Sequence, residues 1–190
     1  KFEATVRCCT QNGVRGGSAT VHFPIWHQEI EDILVLKNNK GTEDNRVRKL
    51  DYSIQISKLF YERFIKDEEI TLFSPHDVPG LYEAFGMPEF DELYEKYERS
   101  YKTPKTKIRA QELIGTLLKE RAETGRIYIM NIDHCNTHSS FKDKVYMSNL
   151  CQEITLPTTP VEHIDDENGE IALCILSAVN LGLIRDKHDL

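Results

Sequence analysis

Long apolar runs, clustered basic charge and paired cysteine motifs are all missing from this chain of 190 residues. No apolar run approaches the roughly 20 residues that a membrane-spanning helix needs. With 31 acidic and 24 basic side chains, the net charge of -7 argues against a surface for nucleic acid or anionic lipid. The five cysteines are an odd number without the spacing of a disulfide scaffold. We therefore expect reduced thiols, a cytoplasmic setting, no nucleic-acid partner and no membrane partner.

The first residue is Lys1, and the N-terminus lacks the charged-then-apolar pattern of a signal peptide. Because an initiator methionine is also missing, we expect the chain to be one segment of a longer polypeptide.

The order of the predicted elements indicates an α/β protein. Apolar side chains recur at helical spacing over residues 107–121, and Gly125 follows as a helix-ending residue. The run 171–176 is continuously apolar, which suits a strand buried on both faces. Strands that alternate with helices usually form a parallel sheet, so an α/β fold with parallel strands is predicted. Among the predicted strands are residues 2–7, 19–23, 127–132 and 171–176, together with a short strand at residues 70–73 and an alternating segment around Ile54 and Ile56.

An amide, a thiol and a carboxylate follow one another at every second position, in Asn149, Cys151 and Glu153. In extended backbone alternate side chains share a face, so these three are predicted to point the same way. A carboxylate near a thiol disfavours the thiolate, which is the wrong direction for a nucleophilic cysteine. The pair is compatible with a protonated cysteine that works by one-electron chemistry. On this window alone, an ordinary strand with one polar face is the simpler interpretation.

Two other segments have weaker signals. Residues 133–138 place four possible metal ligands within six positions, but a structural zinc site needs a second cluster, and only His163 and Asp165 are evident additions. We interpret residues 133–144 as a hydrogen-bonded polar loop. The segment 13–17 lacks the Gly-Lys-Ser/Thr ending of a Walker loop, and its glycines predict a flexible loop.

Seven segments, taken in order, resemble the large (alpha) catalytic subunit of class I ribonucleotide reductases, most of all the bacterial and phage type. They run along nearly the whole chain, and their order is far more specific than any one of them. The segments are Cys9-Thr10-Gln11-Asn12-Gly13-Val14-Arg15-Gly16-Gly17, Leu34-Val35-Leu36-Lys37-Asn38-Asn39, Leu72-Phe73-Ser74-Pro75, Thr124-Gly125-Arg126-Ile127-Tyr128-Ile129, Asp133-His134-Cys135-Asn136-Thr137-His138, Ser148-Asn149-Leu150-Cys151-Gln152-Glu153-Ile154 and Asn168-Gly169-Glu170-Ile171-Ala172-Leu173-Cys174.

This resemblance implies that residues 1–190 are a central segment of a ten-stranded α/β barrel with a finger loop at its centre. Cys151 would be the transient thiyl radical that takes a hydrogen atom from the 3′ carbon of the ribose. Glu153 would be the general base for the 3′ hydroxyl, and Asn149 would orient the sugar hydroxyls. Cys174 would belong to the redox pair that delivers the reducing equivalents and becomes a disulfide. The implied enzyme is a ribonucleoside-diphosphate reductase, which supplies deoxyribonucleotides for DNA synthesis.

The same resemblance makes the glycine-rich segment the loop that carries effector information to the substrate. Gln11 and Arg15 would be its base-reading side chains. The matching residues of this loop are Cys9, Gln11, Gly13, Arg15, Gly16 and Gly17.

The resemblance also implies partners. The substrate would be a ribonucleoside diphosphate, and the radical would come from a small subunit with a di-iron tyrosyl-radical centre. Nucleotide effectors would bind the full-length large subunit, which dimerises, and a thioredoxin- or glutaredoxin-type protein would be the reductant. The segment itself would bind no metal or cofactor. The second redox cysteine is expected upstream and the second half of the barrel downstream, so the isolated segment is predicted to be inactive.

Two other functions stay open at this point. One is a non-catalytic structural piece of a split reductase. The other is a metal-dependent hydrolase that uses residues 133–138 together with His163.

Overall fold

The computed structural model describes residues 1–10, 12–159, 161, 163–174 and 177–186, which fall into two units, Lys1–Pro157 and Thr158–Leu190. The helices are α1 Phe2–Cys8, α2 Ile30–Val35, α3 Lys58–Lys66, α4 Leu81–Ala84, α5 Phe90–Arg99, α6 Ala110–Thr124 and α7 Ile132–Thr137. The strands are β1 Thr20–Pro24, β2 Asp51–Ile56, β3 Glu69–Leu72, β4 Thr106–Arg109, β5 Ile127–Asn131, β6 Val145–Ser148 and β7 Thr155–Pro157. Short 3-10 turns cover Glu43–Asn45, Pro75–Asp77 and Leu181–Leu183.

A parallel sheet of β1, β2 and β5, with β2 in the middle, forms the centre of the first unit. Parallel neighbours need long connections, and helices lie in both of them, α2 before β2 and α3 to α6 before β5. All six residues of β2 are buried, as expected for a parallel strand that is covered on both faces. The predicted α/β fold with parallel strands is confirmed. In the described part of the chain these strands do not close into a barrel.

Aromatic rings fill the core beside the sheet. Phe60 contacts Tyr94 edge to face, with ring centroids 5.4 Å apart, and Phe73 contacts the same tyrosine in the same manner at 5.5 Å. Such edge-to-face pairs add to the stabilisation that burial of the rings provides. The largest fully buried aromatic side chains are Trp26, Phe60, Phe73, Phe85, Phe90 and Tyr94.

A polar network ties α3, α5 and β3 together inside this core. Both terminal nitrogens of Arg63 donate to the carboxylate of Glu98 at 2.6 Å, and these side chains are only 11% and 17% exposed. The Thr71 hydroxyl donates to the same carboxylate, also at 2.6 Å. Burial raises the pKa of the Glu98 carboxyl, but the hydrogen bonds from Arg63 and Thr71 outweigh burial and hold that pKa below its ordinary value. The pair is therefore charged and mutually compensated at neutral pH.

Several predicted elements are confirmed. The helix predicted over residues 107–121 corresponds to α6, which begins three residues later because residues 107–109 belong to β4. Its C-cap Gly125 has a left-handed φ of 68° that suits glycine. The strands predicted over residues 19–23 and 127–132 are β1 and β5, and each predicted end lies within one residue of the observed end.

Two other local predictions are wrong. Residues 2–7 belong to helix α1. A strand needs a neighbour to pair with, and β1 has β2 as its only neighbour among the described strands. The first five residues of the polar loop predicted over residues 133–144 belong to helix α7, Ile132–Thr137. In that helix Asn136 donates from its side chain to the carbonyl oxygens of Ile132 and Val145, which stabilises the turn.

The second unit contains little regular structure in its described residues. Thr159 and Glu170 form an antiparallel bridge, and Leu181–Leu183 form a 3-10 turn. The buried strand predicted over residues 171–176 is wrong for residues 171–174, where Ile171 and Leu173 are 69% and 78% exposed. A strand buried on both faces needs neighbours that this unit does not provide among its described residues. Ile175 and Leu176 lie outside the described residues.

Within the part of the chain that the structure describes, no helix has both the length and the apolar character required to cross a membrane.

Replacement of Glu98 by glutamine should destabilise the protein by about 3 kcal/mol, because it leaves the guanidinium of Arg63 buried without a compensating charge. The free energy of unfolding in urea at pH 7 measures the effect. Glu95→Gln, in the exposed pair with Arg99 on the same helix, is the matched control and should change stability by less than about 0.5 kcal/mol. Equal losses in both variants would contradict the role of the buried pair.

Candidate active site

A β-hairpin presents Cys151 at its tip. β6 and β7 pair antiparallel, and residues 149–154 connect them as a loop. The loop is closed by Asn149 and Ile154: the Asn149 N–H donates to the Ile154 carbonyl at 3.0 Å, and the Ile154 N–H donates to the Asn149 side-chain oxygen, also at 3.0 Å. Cys151 and Glu153 are exposed, whereas Asn149 is half-buried.

The extended backbone predicted for residues 149–153 is wrong. The chain reverses direction there, and Gln152 has a left-handed φ of 62°, which few residues other than glycine adopt. Side chains in such a turn do not alternate between two faces. The side-chain oxygen of Asn149 is also occupied by the Ile154 N–H. Asn149, Cys151 and Glu153 therefore share one loop, but not one face of a strand.

The loop rests against one face of the parallel sheet. In the register of the sheet, Ser53 lies opposite His22 on one side and Tyr128 on the other. The Ser53 hydroxyl donates to the side-chain oxygen of Gln152 at 2.7 Å. The Thr20 hydroxyl, at the start of β1, donates to the Leu150 carbonyl at 2.6 Å. These hydrogen bonds fix the loop beside the first residues of β1 and the middle of β2.

The base of the hairpin is held by the same face. The Gln55 side-chain amide donates to the Tyr146 carbonyl in β6. In a strand every second side chain points the same way, so Ser53 and Gln55 share this face of β2. The whole hairpin, from base to tip, is thereby hydrogen-bonded along the central strand.

Tyr128, in β5, is a titratable residue whose pKa is affected by groups at the hairpin tip. Burial raises the pKa of its phenol, and the neighbouring groups Asp51, Cys151 and Glu153, which are negative when ionised, raise it further, against the opposing effect of Arg126. These charges act only because the groups lie near one another. The Tyr128 hydroxyl therefore stays protonated at neutral pH beside Cys151 and Glu153.

An open groove of about 700 Å³ lies beside the tip. This volume is within the range of small-molecule sites. The lining residues include Glu153 and Gln152 from the loop, Asn131 from the end of β5, and His134 and His138 from α7 and its C-terminal end. Glu153 therefore borders a space that a ligand of nucleotide size can enter.

His22 has an unusual environment on β1. Both ring nitrogens are buried without a hydrogen-bond partner, and burial lowers the pKa of His22 to about 4. The ring is therefore neutral at pH 7.

The possible metal ligands of residues 133–138 do not converge. Asp133 accepts hydrogen bonds from the N–H groups of Lys58 and His134, at 2.7 and 2.9 Å, which engages both of its oxygens. Cys135 is half-buried, and burial together with the charge of Asp133 raises the pKa of its thiol. Among the described residues, no group of three or more His, Cys, Asp or Glu side chains is arranged to hold a metal ion.

The glycine-rich loop lies between α1 and β1. A Cβ on Gly17 would lie 2.2 Å from the Val6 carbonyl oxygen and 2.4 Å from that of Cys9, so only glycine permits this close approach. Gly13 has a left-handed φ of 72° with open space around it, and Gly16 is also unobstructed. Cys9 and Arg15 are exposed, and Gln11 lies outside the described residues.

Cys174 lies in the second unit, where it is exposed. All five cysteines of the chain are free.

The sequence matches the family model described as "Ribonucleotide reductase, barrel domain" over residues 1–189. The chain belongs to the ribonucleotide reductase family. It is 60% identical to the ribonucleoside-diphosphate reductase subunit alpha of Haemophilus influenzae, over 97% of this chain and 25% of the relative. The identity is 56% with ribonucleoside-diphosphate reductase 1 subunit alpha of Escherichia coli, over 84% of this chain and 22% of the relative. The identity with the ribonucleoside-diphosphate reductase subunit alpha of Enterobacteria phage T4 is 47%, over 93% of this chain and 24% of the relative.

The chain spans about a quarter of the length of the curated relatives that it matches. The predicted membership of the reductase family, as a partial chain of the bacterial and phage type, is confirmed.

Sequence reasoning missed the residues that hold the reductase hairpin in place. Thr20, Ser53 and Gln55 are ordinary polar residues in strands, and their partners in residues 146–152 are about 90 to 130 positions away in the sequence. One signal was available for β2. Its polar residues alternate with Tyr52, Ile54 and Ile56, which indicated a face that required polar partners.

His22→Leu should reduce the acid sensitivity of folding between pH 7 and pH 5, to which His27, whose pKa burial also lowers, contributes as well. The folded pKa of about 4 lies below the ordinary 6.5, so the unfolded state binds more protons in this range and stability falls as the pH is lowered. For His22 the loss is about 2 kcal/mol between these two pH values. Urea unfolding at both pH values measures it. The exposed His138→Leu is the control and should keep the full dependence; an unchanged dependence in His22→Leu would refute the assignment.

Proposed function

We propose that this segment is part of the catalytic core of a ribonucleoside-diphosphate reductase, which converts ribonucleotides to 2′-deoxyribonucleotides by thiyl-radical chemistry. The observation that supports it best is the exposed Cys151 at the tip of a hairpin that is hydrogen-bonded to the face of a parallel α/β sheet. Membership of the reductase family supports the same proposal.

Each loop residue has a proposed role that suits its position. Cys151, as a thiyl radical, would take a hydrogen atom from the 3′ carbon of the ribose. Glu153 would accept the proton of the 3′ hydroxyl, and its place on the rim of the groove leaves its carboxylate accessible to a substrate. Asn149 would orient the sugar hydroxyls through its side-chain amide N–H groups, since its side-chain oxygen is engaged by Ile154.

Cys174 would provide one of the two thiols that reduce the substrate. The 2′ hydroxyl would leave as water, and the pair of thiols would supply two electrons and two protons as it forms a disulfide. The hydrogen atom on Cys151 would then return to the 3′ carbon. The balance is one ribonucleotide and one dithiol giving one deoxyribonucleotide, one disulfide and water. An exposed, free Cys174 is compatible with reduction of that disulfide by a thioredoxin- or glutaredoxin-type protein.

The remaining parts of the proposal concern the complete protein. The three parallel strands would belong to a ten-stranded barrel, with the hairpin as its central finger loop, in a large subunit that dimerises. The exposed loop of Cys9, Arg15 and the glycines, together with Gln11, would carry effector information to the nucleotide substrate. The oxidising equivalent would come from a di-iron tyrosyl radical in a small partner subunit, and this segment would hold no part of that centre.

Cys151→Ser, in a full-length alpha subunit that carries this segment, should abolish nucleotide reduction, because a hydroxyl does not form the radical that a thiol forms. Ribonucleoside-diphosphate binding should persist with unchanged Kd. Product formation with a thiol reductant and the matching small subunit measures the first, and equilibrium binding the second. Cys8→Ser, in the exposed last position of α1, is the control and should remain active. Turnover in Cys151→Ser would overturn the proposal and favour a non-catalytic structural role.

Cys174→Ser in the same subunit should block multiple turnovers with a thiol reductant, because the disulfide cannot form. Deoxyribonucleotide produced per subunit over time measures this outcome, while the Kd for the substrate should not change. Sustained turnover in this variant would show that the reducing equivalents enter elsewhere.

A further inference from the structure

We propose that Gln152 is a positioning residue, which holds the tip of the hairpin on the parallel sheet and so determines where Cys151 and Glu153 lie. This inference rests on the proposed function, because that function makes the location of those two side chains matter for turnover.

The side chain of Gln152 connects the loop to two strands at once. Its oxygen accepts the Ser53 hydroxyl of β2 at 2.7 Å, and its nitrogen donates to the Ile129 carbonyl of β5, also at 2.7 Å. Ser53 is completely buried, so its hydroxyl has no water to replace Gln152. A glutamine amide has both a donor and an acceptor, and here the two ends are satisfied by different strands.

The backbone conformation of Gln152 also indicates that this residue is held in place by the sheet. Its left-handed φ of 62° is uncommon for a residue with a side chain, and such a conformation persists where the surroundings hold it. The two hydrogen bonds to the sheet supply that restraint. With this φ the Gln152 side chain faces the sheet while the flanking Cys151 and Glu153 stay exposed.

The other hydrogen bonds of the loop do not depend on a side chain that connects it to two strands. Asn149 closes the loop on itself through Ile154. Thr20 binds the carbonyl of Leu150, a backbone group that any residue at position 150 would offer. Among the described residues of the loop, Gln152 is the one whose side chain bonds to both β2 and β5.

The test is Gln152→Met in the full-length alpha subunit that carries this segment, because methionine keeps the volume and removes both hydrogen bonds. The kcat for nucleotide reduction should fall about tenfold, since a small displacement of reacting groups has a large effect on rate. The KM for the ribonucleoside diphosphate should not change. The Tm should fall somewhat, because the buried Ser53 hydroxyl loses its partner, so kcat is measured at a temperature where both subunits remain folded. Amide hydrogen exchange of a peptide spanning residues 149–154 should become faster, while exchange in α6 stays as it was.

Three further variants test whether the loss comes from these two hydrogen bonds. Ser53→Ala removes one of the two hydrogen bonds, so it should lower kcat less than Gln152→Met, and the double variant should be no slower than Gln152→Met alone. Gln111→Met, on the exposed face of α6, is the matched control and should keep full kcat. Unchanged kcat or unchanged exchange in Gln152→Met would overturn the proposal. So would a loss of kcat that matches the fraction of unfolded subunit at the assay temperature, or losses in the two single variants that multiply in the double variant.

Failure of this inference is distinguishable from failure of the proposed function. If the parent subunit reduces nucleotides and Cys151→Ser does not, a Gln152→Met variant with full kcat overturns only the positioning role. If Cys151→Ser keeps its turnover, the proposed function itself is overturned.

Discussion

Burial of β2 is the constraint on which the first unit depends, because a central parallel strand must be covered on both faces. All six of its residues are buried, although Asp51, Ser53 and Gln55 are polar. A buried polar group without a partner destabilises a fold. Asp51 pairs with Lys37, whereas Ser53 and Gln55 find their partners in the hairpin. The hairpin therefore completes the hydrogen bonding of the central strand.

This arrangement separates the residues that hold the hairpin from those that would carry out chemistry. Ser53 and Gln55 are buried in the sheet, whereas Cys151 and Glu153 are exposed at the tip. Reactive side chains need access to a substrate, but their positions require a rigid support. A strand buried on both faces is among the most rigid supports that a fold offers. The stability of the sheet and the geometry of the candidate site therefore depend on the same hydrogen bonds.

Short sequence patterns predicted an element correctly where its formation depends on residues within that element, as in a helix. The amphipathic repeat of α6 and its glycine cap are properties of a short window, and that helix forms as expected. Residues 2–7 and 171–174 also have strand-like sequences, but a strand exists only with a partner, and the first of these segments is a helix. For the candidate site, Asn149, Cys151 and Glu153 were identified in one loop, but their alternation required extended backbone, which the turn at Gln152 excludes.

The sequence by itself determined the family, the parallel α/β class and the side chains that offer chemistry, because these depend on residue identity and on order along the chain. Only the tertiary structure decided that Cys151 lies on a hairpin tip, and that Thr20, Ser53 and Gln152 hold this tip on the sheet. The physical reason is distance along the chain. A local pattern can show that a face requires polar partners, but it does not show which segment about a hundred positions away provides them, and these hydrogen bonds exist only after the sheet has formed.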